Sequence, residues 1–211
     1  MPGLEGAQAH ESKLYYEFSQ LYDLLFTRVF GPRIHRVVAA LEIDPGAQIL
    51  EVGVGTGLSV GAYPEHCQVT GIDLAPEMLE LAQEKLDRLG ADHVRLMQMD
   101  ALNMKFEAST FDYAMAFHVV SVVPQPEKMM REMLRVTKPG GKIVIINHFR
   151  SRNQLLATLD KMSEPIFRRL GWHTLSLPEL LAGLPLKVEE KYKFSELSLF
   201  TILIATNTKS D

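Results

Sequence analysis

The sequence predicts an α/β fold built on a doubly wound, largely parallel sheet. Three observations carry that expectation. Five short apolar segments between Ala47 and Phe149 alternate with stretches of helical periodicity. The first segment runs into a glycine-rich turn, ILEVGVGTGLSV, over residues 49–60. Two further apolar segments near the C-terminus lie too close together for a crossover helix and call for an antiparallel hairpin.

The elements follow in order. Leu14, Phe18, Leu21 and Leu25 recur at spacings of four, three and four, a helical stripe widened by Tyr15, Tyr22, Phe26 and Val29. Gly31-Pro32 is expected to end that helix, and Ile34 to Leu41 to form a second, closed near Asp44-Pro45-Gly46. AQILEVG reads as a buried strand, followed by the glycine turn and a short helix. QVTGIDL is a second strand and PEMLELAQEKLDRLG an amphipathic helix ending at Gly90. HVRLMQM is a third strand running into Asp100-Ala101. FDYAMAFHVV is a fourth, followed by a helix through EKMMREMLRVT, and KIVIINHF is a fifth. SRNQLLATLDKMSEPIFRRLG has helical character with Pro165 dividing it, and LKVEEKYKF with SLFTILIATN completes the sheet edge. Residues 1–211 are expected to form one domain, with no repeat or linker between domains.

Composition narrows the classes of function. The chain has 211 residues, 46% hydrophobic and 23% charged, with a net charge of −4 that argues against nucleic acid as a partner. Cys67 is the single cysteine and cannot form an internal disulfide, which suits a reducing cytoplasm. The first ten residues resemble no secretory signal, and YAMAFHVVSVVP is too short to span a bilayer.

The glycine turn marks the ligand site, because ligands of doubly wound sheets bind at the carboxyl ends of the strands. A dinucleotide fingerprint requires its third glycine at position 58, which is Leu58; here Gly53, Gly55 and Gly57 alternate, with Glu51 two residues before the first. An extra carboxylate opposes a pyrophosphate but suits S-adenosylmethionine, whose sulfonium and ammonium are cationic. Asp73 ends the second strand, where an acid can accept from both ribose hydroxyls. Asp100, with Ala101 beside it, follows the third and can accept from the adenine amino group. Each acid alone is equally a helix cap or a turn residue; their coincidence at three consecutive strand ends points to a methyl donor.

EVGVGTG, GIDLAPEML, MDA and RVTKPGGKI, in this order, resemble the class I S-adenosylmethionine-dependent methyltransferases over roughly Ala47 to His148. The resemblance implies a Rossmann-like, doubly wound seven-stranded sheet with the last strand antiparallel, plus N-terminal helices. It implies cofactor contacts from Tyr22, Glu51, Gly53, Gly55, Thr56 and Gly57. Further contacts are expected from Asp73, Leu74, Met78, Asp100, Ala101, Phe117 and His118.

A finer resemblance lies outside those motifs. YDLLFTRVFG, HVVSVVPQPEKMMREMLRVTKPGG and INHF are similar to segments of bacterial phospholipid N-methyltransferases, which methylate phosphatidylethanolamine toward phosphatidylcholine. Quinone C-methyltransferases share much of the same framework. A phospholipid amine must lose its proton before attack, so His118, His148 and Tyr22 are the candidate catalytic residues. Tyr16, Asn147, Arg150 and Arg152 are the candidate substrate contacts, the arginines suiting a phosphate. Residues 11–42 are expected to act as a helical lid or membrane-contact segment. Lys161, Arg168 and Arg169, interleaved with apolar residues, offer either an anionic-bilayer contact or an ordinary solvated helix face. The expected location is the cytoplasm, at the inner face of the cell membrane. His35, His66, His93 and His173 are read as surface residues, and no ligand spacing suggests a metal. Two alternatives stand beside the lipid enzyme: a methyltransferase for a quinone precursor or other small acceptor, and a cofactor- or lipid-binding module without catalysis.

Overall fold

The computed structural model describes residues 30–150, 175–195 and 198–210. The helical readings of residues 11–29 and 151–171 fall outside them, as do Tyr16, Tyr22, Arg152 and His173. A helix, α1, occupies 30–40. It is followed by β1 (Gln48–Val52), a 3-10 turn at Val60–Ala62, β2 (Gln68–Asp73), α2 (Pro76–Leu89) and β3 (Val94–Gln98). Then come β4 (Phe111–Phe117), α3 (Pro126–Val136), β5 (Thr137–His148), α4 (Leu177–Leu181), β6 (Leu186–Tyr192) and β7 (Phe200–Asn207).

The seven strands form one sheet in the order β3-β2-β1-β4-β5-β7-β6. β1 lies between β2 and β4 in parallel register, with Glu51 opposite Gly71 on one side and Met115 on the other. The winding direction reverses at β1, so the cleft beyond the carboxyl ends of β1 and β4 is where a ligand is expected. β7 inserts antiparallel between β5 and β6. The short β6–β7 connection dictates this, since a parallel return needs a long crossover. The expected seven-stranded sheet with its antiparallel last strand is therefore present.

Alternating side chains give the sheet two buried faces. Ile49, Val144, Ile146, Ile202 and Ile204 face α1 and α2, meeting Ile34, Val37, Val38 and Leu86. Leu50, Val52, Ile143, Ile145 and Leu203 face α3 and α4, meeting Met129, Met130, Met133 and Leu180. The unbranched methionines of α3 adapt to the twisted sheet beneath them.

Four local expectations need correction. Gly31-Pro32 does not separate Phe30 from the second helix: both lie within the helical run 30–40. The short helix after the glycine turn shrinks to three 3-10 residues, Val60–Ala62, with Gly61 inside it and Pro64 soon after. β5 starts early, at Thr137, and carries Pro139-Gly140-Gly141 within it; the register shift between Phe111 and Tyr113 on β4 absorbs the irregularity. β3 stops at Gln98, two residues before Asp100.

Candidate active site

The glycine turn is shaped by two different demands. Gly53 and Val54 donate to the Ile72 carbonyl at 2.8 and 3.0 Å, clamping the turn to the end of β2. Gly53 has φ +71°, and a Cβ there would stand 2.3 Å from Val119 Cγ2, so packing as well as conformation excludes a side chain. Gly55 also lies in the left-handed region, at φ +53°, but a Cβ there would meet nothing within 4 Å. Gly53 lets the chain after β4 close onto the turn; Gly55 leaves bare backbone facing open space. Gly57, at φ +73°, lies close to Ala82 of α2 and Val60.

Asp73 is held at the mouth of this turn. Its Oδ2 accepts from the Gly55 N–H at 2.8 Å and its Oδ1 from the Ala75 N–H at 3.0 Å. A carboxylate has about four acceptor positions, so each oxygen keeps one for a ligand hydroxyl. Ala75, rather than Asp73, is the N-cap residue of α2. Leu74 beside it is 66% exposed, a large apolar surface at the site's rim, and Met78 is half-buried. The Met99 N–H donates to the Asp73 carbonyl at 2.9 Å, tying the next acid to the first. Asp100 is exposed and its Oδ1 accepts from the Leu102 N–H at 2.8 Å, with half-buried Ala101 between them.

Glu51 occupies a different environment from the other acids. It is 2% exposed, and its carboxyl accepts from the Ser59 hydroxyl at 2.6 Å and the Tyr63 hydroxyl at 2.7 Å. Burial raises its pKa from 4.5 to about 7 against the lowering effect of both hydroxyls, and the Asp73 charge adds to the rise. Its hydrogen-bonding is thus internal to the fold, with Thr56, also buried, in the same turn.

At the carboxyl end of β4, Phe117 is buried and His118 turns out of the sheet with φ +62°. Its N–H still donates to the Ile146 carbonyl at 2.7 Å, which holds this strained conformation. The imidazole lies 4.7 Å from the Phe30 ring and 4.6 Å from Phe200, centre to centre. Both ring nitrogens are buried without a hydrogen-bond partner among the described residues. Burial, reinforced by the Arg33 charge, lowers the His118 pKa from 6.5 to about 4, so the ring is neutral at physiological pH.

The end of β5 supplies the neighbouring groups. His148 Nδ1 lies 2.9 Å from the Leu199 carbonyl, which can only accept, so Nδ1 is the donor of that contact. Asn147, expected to touch substrate, is fully buried; its amide donates to the His148 carbonyl at 2.9 Å and its Oδ1 accepts from Ser121 at 3.4 Å. It fixes the strand end. Arg150 is exposed just beyond, its N–H donating to the Leu175 carbonyl. The surface reading of His35 and His66 fits their exposure, His66 Nε2 lying 2.9 Å from the Ile43 carbonyl, while His93 is half-buried against the Tyr63 carbonyl.

Residues 50–145 match a family model described as a methyltransferase domain. Over 190 residues the chain is 40% identical to a phosphatidylethanolamine N-methyltransferase of Cereibacter sphaeroides, covering 89% of this chain and 93% of that protein. The chain belongs to the S-adenosylmethionine-dependent methyltransferases.

A demethylmenaquinone methyltransferase of Bacillus cereus is 34% identical to this methyltransferase over 110 residues, half of the chain and 46% of that protein. Among solved structures, a geranyl diphosphate methyltransferase in complex with S-adenosylmethionine shares the fold, with a TM-score of 0.71 at 18% identity over 85% of this chain and 86% of that one. The YcgJ protein of Bacillus subtilis does so equally, also with a TM-score of 0.71 at 18% identity, over 84% and 98% of the two chains.

S-adenosylmethionine is the cofactor of this methyltransferase. The geometry fits it: bare backbone at Gly55 faces open space, and the two-pronged Asp73 acceptor is locked beside it. Among the described residues, no group of three or more His, Cys, Asp or Glu side chains is placed to hold a metal. Sequence reasoning missed Ser59 and Tyr63, which hold Glu51, and Phe30 and Phe200, which enclose His118. Tyr63 and Phe200 fall in runs whose pattern announces only burial, so no sequence signal separates them from core residues.

Proposed function

We propose that this methyltransferase transfers methyl groups to the amine of phosphatidylethanolamine and of its methylated derivatives, toward phosphatidylcholine. The observation that carries the reading is the extent of likeness: similarity to the Cereibacter phosphatidylethanolamine enzyme runs through almost the whole of both chains, whereas the quinone relative matches only half. In this proposal residues 11–42 form a lid or membrane-contact segment, and the enzyme works peripherally at the inner face of the cell membrane. Among the described residues no helix is long and apolar enough to cross a bilayer.

When bound, the cofactor supplies a methyl group activated by its sulfonium. The chain's task is to present a neutral nitrogen in line with that methyl and to exclude water. The Phe30 and Phe200 rings beside His118 provide the dry surroundings, which favour the uncharged form of the amine. His118, held neutral, accepts a hydrogen bond from the amine and aims its lone pair; with a pKa of about 4 it does not retain the proton. His148 at the end of β5 is the second candidate for the proton acceptor and Tyr22 a third. Thr56 and Gly57 extend the cofactor turn, while Arg150, Arg152 and Tyr16 are proposed to meet the headgroup.

The test is transfer of labelled methyl groups into defined lipids, read by mass. Mono-, di- and trimethylated phosphatidylethanolamine is the expected product set. Label in quinone precursors but not in lipid rejects the reading, and cofactor affinity without turnover on any acceptor favours a binding module.

A further inference from the structure

Helix α1 carries two arginines stacked on aromatic rings. Arg36 Cζ lies 5.3 Å from the centre of the Phe194 ring, and Arg33 Cζ lies 5.7 Å from the centre of the Phe30 ring. Only the second leads into the active site, because Phe30 also packs at 4.7 Å on His118 and at 5.0 Å on Phe200. One phenyl ring thus joins a guanidinium to the imidazole whose two nitrogens lack partners. Arg33 is half-buried, and among the described residues no carboxylate pairs with it. A partly desolvated cation without an anion is an unfavourable arrangement that a bound anion relieves.

We propose that Arg33 binds the phosphodiester of the acceptor's headgroup while His118 receives its amine. The inference rests on the phospholipid reading given above and names the residue that makes it selective. In an aminoethyl phosphodiester the anion sits two carbons and one oxygen from the nitrogen, so a cation and a neutral acceptor that share the Phe30 ring as a neighbour suit its two ends. The guanidinium fork suits phosphate oxygens in pairs. Charge makes the phosphate more than an anchor. Methyl transfer turns a neutral nitrogen into a cation, and an unpaired Arg33 beside His118 repels that developing charge. Phosphate on Arg33 removes the repulsion, so an acceptor lacking phosphate is disfavoured in the chemical step as well as in binding.

The experiment uses the full chain with labelled cofactor and three acceptors: phosphatidylethanolamine in neutral detergent, water-soluble glycerophosphoethanolamine, and a long-chain amine without phosphate. The variants are Arg33→Gln, Arg33→Lys and, as a control on the same helix, Arg36→Gln. Arg33→Gln is expected to lose roughly ten- to hundredfold in kcat/KM on both phosphate-bearing acceptors, the worth of one charge-assisted contact. Arg33→Lys should recover part of that loss, Arg36→Gln should match wild type, and the amine without phosphate should be a poor acceptor throughout. S-adenosylhomocysteine affinity by calorimetry should be unchanged in every variant. Wild-type kcat/KM on phosphatidylethanolamine in Arg33→Gln overturns the inference alone. A loss confined to the lipid and absent from the soluble headgroup also overturns it, because Arg33 would then act on the lipid surface, as does a parallel loss of S-adenosylhomocysteine affinity. If wild type binds S-adenosylhomocysteine yet methylates neither phosphate-bearing acceptor, the phospholipid reading falls and takes this inference with it.

Discussion

Glu51 and His118 should make opposite and nearly equal contributions to the pH dependence of stability, and separating them tests the burial argument at both positions. Glu51 titrates near 7 in the folded protein against 4.5 when solvated. The folded state therefore binds this proton more tightly than the unfolded chain, and the associated stability is full below pH 4.5 and lost as pH rises through about 7. His118 titrates near 4 folded against 6.5 solvated. Here the unfolded chain binds the proton more tightly, so the associated stability is full above pH 6.5 and lost as pH falls through about 4. Each displacement corresponds to about 3 kcal/mol between the two protonation states. Between pH 4.5 and 6.5 the two slopes cancel, and wild type shows only what its other groups impose.

Substitution removes the cancellation. Glu51→Gln keeps the shape without the charge and leaves the His118 slope exposed: relative to wild type, stability should climb by about 3 kcal/mol from pH 4.5 to 7. His118→Asn keeps a residue tolerant of positive φ and leaves the Glu51 slope, so relative to wild type stability should fall by about 3 kcal/mol from pH 4 to 6.5. The assay is urea unfolding followed by far-ultraviolet circular dichroism at fixed ionic strength, with each variant subtracted from wild type so that the remaining carboxylates drop out. Difference curves that are flat, or that share one sign, refute the reasoning.

Other outcomes follow from single contacts. Tyr63→Phe removes a 2.7 Å donor to Glu51 that favours its charged form, so the Glu51 transition in the same unfolding series should move above pH 7. Gly53→Ala combines a disfavoured φ with a clash against Val119 and should cost about 2–5 kcal/mol. Gly55→Ala should cost about 1–2 kcal/mol, because it adds only the conformational penalty, yet it should abolish S-adenosylhomocysteine binding by placing a methyl in open site space. Thermal melts and calorimetry together distinguish them. Asn207→Ala strips the amide that donates to the Leu134, Thr137 and Lys138 carbonyls at 2.9–3.2 Å, and should lower stability by about 1–3 kcal/mol while leaving cofactor affinity intact, since it lies at the opposite end of β5 from the site.

Strand-by-strand organisation was legible because buried parallel strands must be short apolar runs, and helices between them must show a 3.6-residue period. The misreadings fall where one residue type serves two geometries. Gly31-Pro32 reads as a helix stop, yet both residues are helical within the run 30–40. The run from Lys138 to Gly141 looks like a loop, but its neighbour β4 shifts register and carries it as strand. The alternating glycines announce a turn without saying that Gly53 is packed against Val119 while Gly55 faces open space, since both lie in the left-handed region and differ in what lies beyond the missing Cβ.

The donor and acceptor halves of the site differ in kind for the same reason. The proposed methyl-donor half is built from backbone bends and from acids at the ends of consecutive strands, so its residues sit at fixed offsets along the chain and spacing points to them. The acceptor half proposed above draws on Phe30 and Arg33 from α1, His118 from the end of β4, His148 from the end of β5 and Phe200 from the start of β7. Nothing in their sequence separation says that they meet; the insertion of β7 between β5 and β6 is what carries Phe200 alongside His148 and onto His118. A fold that hosts many acceptors is expected to behave this way, with donor chemistry written locally and acceptor selectivity assembled by topology. Substitutions at the glycine turn should therefore affect every acceptor alike, while substitutions around His118 should change which acceptor is used.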